Sequence, residues 1–191
     1  MNKNTRRQAL IARKKRLLPL AYTQVEYLEN TGTQWINTGV FATLDKMEIE
    51  IELEKIEHKY GNYWFSNGRT QFNLQFVGLN SKSTINVTTD SSGYGIVKVN
   101  GLIKYEHNWG KDFTNIFIAL FNLGKDDKTY YYQATDIVKL FNCKIKVNDE
   151  LVRNLIPCYR KSDHKPGMYD IVNGVFYTNQ GTGEFILGPK V

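Results

Sequence analysis

The sequence predicts an all-β protein, an antiparallel sandwich or barrel. Three observations carry this. Strand-prone runs with two-residue alternation recur from Val25 onward, Gly and Asn turn pairs separate them, and almost no helical periodicity occurs after Pro19. With 191 residues the chain fits one domain with a tail and is long enough to bury a core.

The elements follow in order. Residues 4–17 contain helix formers and no Gly or Pro, so they predict a short helix, capped by Asn4 or Thr5 and ended by Pro19. Its apolar stripe (Leu10, Ile11, Leu17, Leu18) is narrow, and so short a helix needs a surface to dock on. Residues 34–40 read as a strand after a Thr31-Gly32 turn. Over 47–53, Met47, Ile49, Ile51 and Leu53 point one way and Glu48, Glu50 and Glu52 the other. Phe72, Leu74 and Phe76 alternate with polar neighbours, and 85–88 is a further short strand. Residues 95–105 read as a hairpin turning at Asn100-Gly101, and the apolar run 116–121 as a strand buried on both faces. A second hairpin joins 140–147 to 151–156 around Asn148-Asp149. A third, within 167–178, turns at Asn173-Gly174, the pair best suited to the positive φ angles of a type I′ turn.

Net charge is +6, but it is unevenly placed. Seven of the 25 basic residues lie in 1–18, which holds no acidic residue; the other 18 face 19 Asp and Glu. The expected organisation is therefore a basic arm, 1–18, and a near-neutral sandwich, 19–191. The arm does not read as a secretory signal, because its apolar stretch stops at Pro19. No apolar run reaches the roughly 20 residues of a membrane-spanning helix. Cys143 and Cys158 read as two free buried thiols, with a disulfide as the alternative.

Two blocks of this chain resemble a known family. The opening, 18–39, includes Tyr22-Thr23-Gln24-Val25-Glu26-Tyr27-Leu28 and Thr31-Gly32-Thr33-Gln34-Trp35-Ile36. The closing block runs from Leu140-Phe141-Asn142-Cys143 through Leu151-Val152-Arg153 and Ile156-Pro157-Cys158 to Gly167-Met168-Tyr169-Asp170 and Gly181-Thr182-Gly183-Glu184-Phe185. Both are similar to the concanavalin A-like, laminin-G-like domains of bacteriophage and gut-bacterial surface proteins, over about 18–189. The resemblance implies a two-sheet jelly-roll sandwich on a virion or cell surface, sometimes binding glycans. Residues 57–112 depart from it, and loops on a rigid sandwich are where recognition normally sits.

Aromatics beside Asn, Gly and Arg in that stretch are the candidate glycan site: Tyr63, Trp64, Tyr94, His107 and Trp109. Sugar rings stack on aromatic faces while polar groups bond the hydroxyls; the competing reading is that Trp64, Phe65 and Trp109 fill the core. Tyr130-Tyr131-Tyr132 is divided between core and partner contact. Glu48 to Glu52 resembles the Glu-x-Asp-x-Glu strand of laminarinase-type glycosidases, with Glu in place of the central Asp. That strand implies a glycoside hydrolase using Glu48 and Glu52. The alternation continuing to Glu54 reads instead as an ordinary solvated strand face, and a non-enzymatic protein is expected. His58, His107 and His164 lack ligand spacing, so no metal is expected. Asp90 and Asp126-Asp127 read as polar turns rather than calcium ligands. No cofactor is implied.

Arg6, Arg7, Arg13, Lys14, Lys15 and Arg16 are the candidate docking residues. Docking into a larger assembly is the leading reading of the arm, ahead of nucleic acid and membrane. The expected function is a virion structural protein, a capsid decoration or tail-fibre component, assembled in the bacterial host cytoplasm. Its expected partners are other virion proteins, a host-surface glycan and further copies of itself, with no membrane contact. A bacterial surface lectin or adhesin is a further alternative.

Overall fold

Alternating apolar and polar residues place one face of each strand against the interior, and pairing those strands assembles a dry surface that needs a cover. The computed structural model describes residues 18–43, 45–57, 65–66, 81–108, 117–123, 132–133 and 136–191. The arm helix expected over 4–17, the strand around 72–76, and His58, Asp126, Asp127, Tyr130 and Tyr131 lie outside the described residues. In chain order the strands are β1 (Tyr22–Gln24), β2 (Leu28–Glu29), β3 (Ile36–Phe41), β4 (Met47–Glu57), β5 (Phe65–Ser66), β6 (Ser83–Thr89), β7 (Tyr94–Val99) and β8 (Leu102–Asn108). They continue as β9 (Phe117–Leu120), β10 (Asn122–Leu123), β11 (Tyr132–Gln133), β12 (Ile137–Val147), β13 (Glu150–Arg160), β14 (Pro166–Asp170), β15 (Val175–Thr178) and β16 (Ile186–Leu187). Among the described residues there is no helix.

A large antiparallel sheet runs β15-β14-β13-β12-β4-β6-β7-β8, with β1 on β13 and with β2 pairing both β12 and β16. A smaller sheet, β3-β9-β5, lies over it. The fold is thus an all-β antiparallel sandwich, as expected. Met47, Ile49, Ile51 and Leu53 of β4 are buried and their glutamate neighbours face solvent, as alternation predicts. Ile85 and Val87 of β6, Val97 and Val99 of β7, and Cys143 and Ile145 of β12 extend the same dry face. Phe117 to Leu120 of β9 are all buried because β9 is the middle strand of the smaller sheet. Trp35 stacks on Phe117 with ring centroids 5.9 Å apart, joining the core.

A polar clasp links the two sheets. Arg153 Nε on β13 donates to the Thr38 carbonyl of β3 at 2.9 Å, and Thr38 Oγ1 donates to the Ile118 carbonyl of β9 at 2.7 Å. Arg153 also lies 3.6 Å from the fully buried Asp170 carboxylate. On the opposite face of the large sheet a second cluster forms from Leu18, Ile156, Cys158 and Tyr169, flanked by Tyr22 and Phe176. Leu18 is thereby fixed to the outer side of β13.

The turns agree with the sequence at two sites and differ at one. Asn100-Gly101 (φ 49° and 82°) and Asn148-Asp149 (φ 51° and 66°) both have the paired positive φ of two-residue type I′ turns. At Asn173-Gly174 only Gly174 has positive φ (72°), and the loop is four residues long, between the paired Asp170 and Val175. The expected type I′ turn is therefore corrected. The cause is Asp170: its carboxylate accepts from the Asn154 and Val172 amides at 2.9 and 3.0 Å and from Asn173 Nδ2 at 3.0 Å, which stabilises a wider loop.

Cys143 and Cys158 are free and buried, as the sequence suggested. Cys143 pairs with Leu155 on the core face, whereas Cys158, three residues further along β13, belongs to the outer cluster. The sheet separates the two sulfurs.

Candidate functional site

Of the five candidate glycan residues, Tyr63, Trp64 and Trp109 lie outside the described residues. Tyr94 and His107 lie on β7 and β8, at one end of the large sheet. Their register partners are successive, Tyr94 with Asn108 and Gly95 with His107. Side chains at successive positions point to opposite faces, so the two residues flank one edge without lining a common pocket.

Tyr94 is held by the turn before it. Asp90 Oδ1 accepts from the Ser92 hydroxyl at 2.6 Å and from the Ser92 and Tyr94 amides at 2.8 and 3.1 Å. The Ser92 hydroxyl, then its amide, holds the Asp90 carboxyl below its ordinary pKa. Asp90 therefore organises a polar turn, in line with that reading of it. The Tyr94 hydroxyl donates to Glu106 Oε2 at 2.7 Å, and this carboxylate holds the phenol proton more tightly than usual. The ring is 37 % exposed, so an ordered aromatic surface faces solvent. On the other face Tyr105 stacks nearly parallel on His107, centroids 5.7 Å apart and 12° between planes.

Glu106 and Tyr105 are additions that the sequence did not single out. The hairpin was expected to end at Tyr105, one residue short of Glu106. Only the β7–β8 register brings Glu106 within reach of Tyr94.

Glu48, Glu50 and Glu52 project from the solvent face of β4, and each meets a lysine. Lys146 Nζ lies 3.3 Å from Glu48, Lys144 Nζ 2.7 Å from Glu50 and Lys82 Nζ 3.0 Å from Glu52. Lys139 continues the pattern at 3.8 Å from Glu54. Asn86 Nδ2 on β6 adds a 3.3 Å hydrogen bond to Glu48. This is a cross-strand charge ladder, and the lysines that complete it come from β12 and from just before β6. A shallow depression of about 150 Å³ opens on the same face, lined by Glu48, Glu50, Lys144, Lys146 and Leu151.

No set of three or more His, Cys, Asp or Glu suited to a metal ion occurs among the described residues. His164 stacks on Tyr159 at 5.1 Å and 10°. The candidate docking residues Arg6, Arg7, Arg13, Lys14, Lys15 and Arg16 lie outside the described residues. Their attachment point does not: Leu18 is buried on β13, and β1 pairs Tyr22 with Arg160.

No protein-family model matches this chain, and no curated protein matches it. Among solved structures it is similar to a "putative carbohydrate binding protein" from Bacteroides ovatus ATCC 8483, with a TM-score of 0.55 and 10% sequence identity. The match covers 87% of this chain and 60% of the other, so this chain spans less than two thirds of that protein's length. At that identity the likeness is one of fold: an antiparallel β-sandwich.

Proposed function

We propose that this protein is a non-enzymatic carbohydrate-binding sandwich, presented on a larger particle by its basic arm. The observation that carries the reading is Tyr94, an exposed aromatic ring held in place by Glu106 and by the Asp90 turn. A fixed ring beside hydrogen-bonding groups suits a sugar, whose faces are apolar and whose rim is hydroxylated. The fold likeness to a protein described as carbohydrate binding supports the same reading. The lysine partners of Glu48 and Glu52 favour an ordinary solvated strand face over a hydrolase. A virion is the particle proposed, because repeated copies there turn weak single-site binding into avidity.

A glycan array probed with multimerised protein tests the reading. The expected result is binding to a restricted set of glycans, lowered about tenfold, or ~1.4 kcal/mol, by Tyr94→Ala. Silence of the native protein on the array overturns it. Deleting residues 1–17 is expected to abolish incorporation into phage particles, and normal incorporation would remove the anchoring role.

A further inference from the structure

We infer that the ligand is an extended, neutral oligosaccharide lying across the solvent face of the large sheet, perpendicular to the strands; this rests on the carbohydrate reading above. Pairing defines two adjacent rows on that face. The first runs Lys146, Glu48, Thr88, Ile96, Glu106. The second runs Lys144, Glu50, Asn86, Lys98, Ile103. Four strand spacings separate the ends of the first row, about 19 Å at the usual ~4.8 Å each. The depression lined in part by Leu151 lies at one end, and Tyr94, bonded to Glu106, at the other.

The chemistry of the rows selects the ligand. A sugar hydroxyl both donates and accepts. Each Lys–Glu couple offers an acceptor and a donor side by side, at 3.3 Å for Lys146–Glu48 and 2.7 Å for Lys144–Glu50. The two rows carry three lysines and three glutamates, so they have no net charge to favour an anionic or a cationic sugar. Leu151 and Ile96 supply apolar contact for ring faces. The track is long and shallow, which suits a chain of rings better than one monosaccharide.

Isothermal titration calorimetry of the full chain with cello-, laminari-, manno- and xylo-oligosaccharides of two to six residues tests this. In at least one series affinity should rise with chain length. The paired variants Glu48→Gln/Lys146→Met and Glu50→Gln/Lys144→Met should each lose at least tenfold for the longest member, with unchanged circular dichroism. Tyr105→Ala, on the opposite face, should leave affinity intact. If both paired variants bind as the native protein does while Tyr105→Ala or His107→Ala abolishes binding, the track is wrong and the carbohydrate reading survives. If the native protein binds neither these sugars nor any glycan on the array, both fall.

Discussion

Asp170 is the residue on which the closing hairpin turns. Its carboxylate is fully buried, receives two amides and Asn173 Nδ2, and lies beside Arg153. Asp170→Ala leaves the guanidinium without its charge partner and the amides without an acceptor. A loss of about 3 kcal/mol is expected in urea unfolding, at the low end for breaking a buried pair. The cysteines give a second residue-scale prediction. Burial pushes the Cys158 thiol up to about 12 and raises Cys143 as well, so neither forms thiolate near neutrality. Iodoacetamide at pH 8 should leave the native protein unmodified and add two groups in guanidinium, as read by mass spectrometry. Asp163 shows the opposite shift: Arg160, 2.6 Å away, lowers its carboxyl to about 2. A depressed carboxylate stabilises the fold above its unfolded pKa, and that contribution disappears as pH falls from about 4 towards 2. Asp163→Asn should therefore flatten the acid limb of the stability profile in that window. The effect will be small, because the pair is exposed.

At the scale of elements, the turn chemistry of the sequence succeeds where a turn is built from its own two residues. Asn100-Gly101 and Asn148-Asp149 form type I′ turns because their strands leave two residues between register partners. Asn173-Gly174 carries the same signal, and a buried carboxylate three positions earlier overrides it. That override depends on Arg153 and Asn154, which reach Asp170 only once β13 and β14 pair. The β14–β15 ladder is also tight. A Cβ on Gly167 would fall on the Tyr177 carbonyl oxygen and come 2.8 Å from the Phe176 ring. Gly167→Ala should cost about 2 kcal/mol, in the middle of the range for overpacking, measurable as a lowered denaturation midpoint. Alternation was the most legible element signal: the buried residues of β4 are those the sequence assigned to its dry face.

For the whole molecule, the boundary near Pro19 makes a prediction. Leu18 packs against Ile156, Cys158 and Tyr169, so it belongs to the folded body. Deletion of residues 1–17 should leave the melting temperature unchanged by circular dichroism. Leu18→Ala in the full chain should instead cost about 2 kcal/mol, the lower end for a buried leucine. The candidate site was only partly legible. Tyr94 and His107 were visible as aromatics in a polar hairpin, but their placement on opposite faces followed from register. Glu106 had no signal of its own, and the lysines facing Glu48 and Glu50 lie about a hundred positions away in the chain.

The sequence by itself determined the all-β class, the dry faces of the strands, two of the three hairpin turns and the concentration of charge before Pro19. Those properties are local, set by side-chain alternation and by residues that tolerate positive φ. The tertiary structure alone decided the pairing of distant strands, and with it the charge ladder, the Tyr94–Glu106 contact and the separation of the two cysteines. Each depends on register between segments far apart in the chain, and a one-residue slip would send every side chain to the other face.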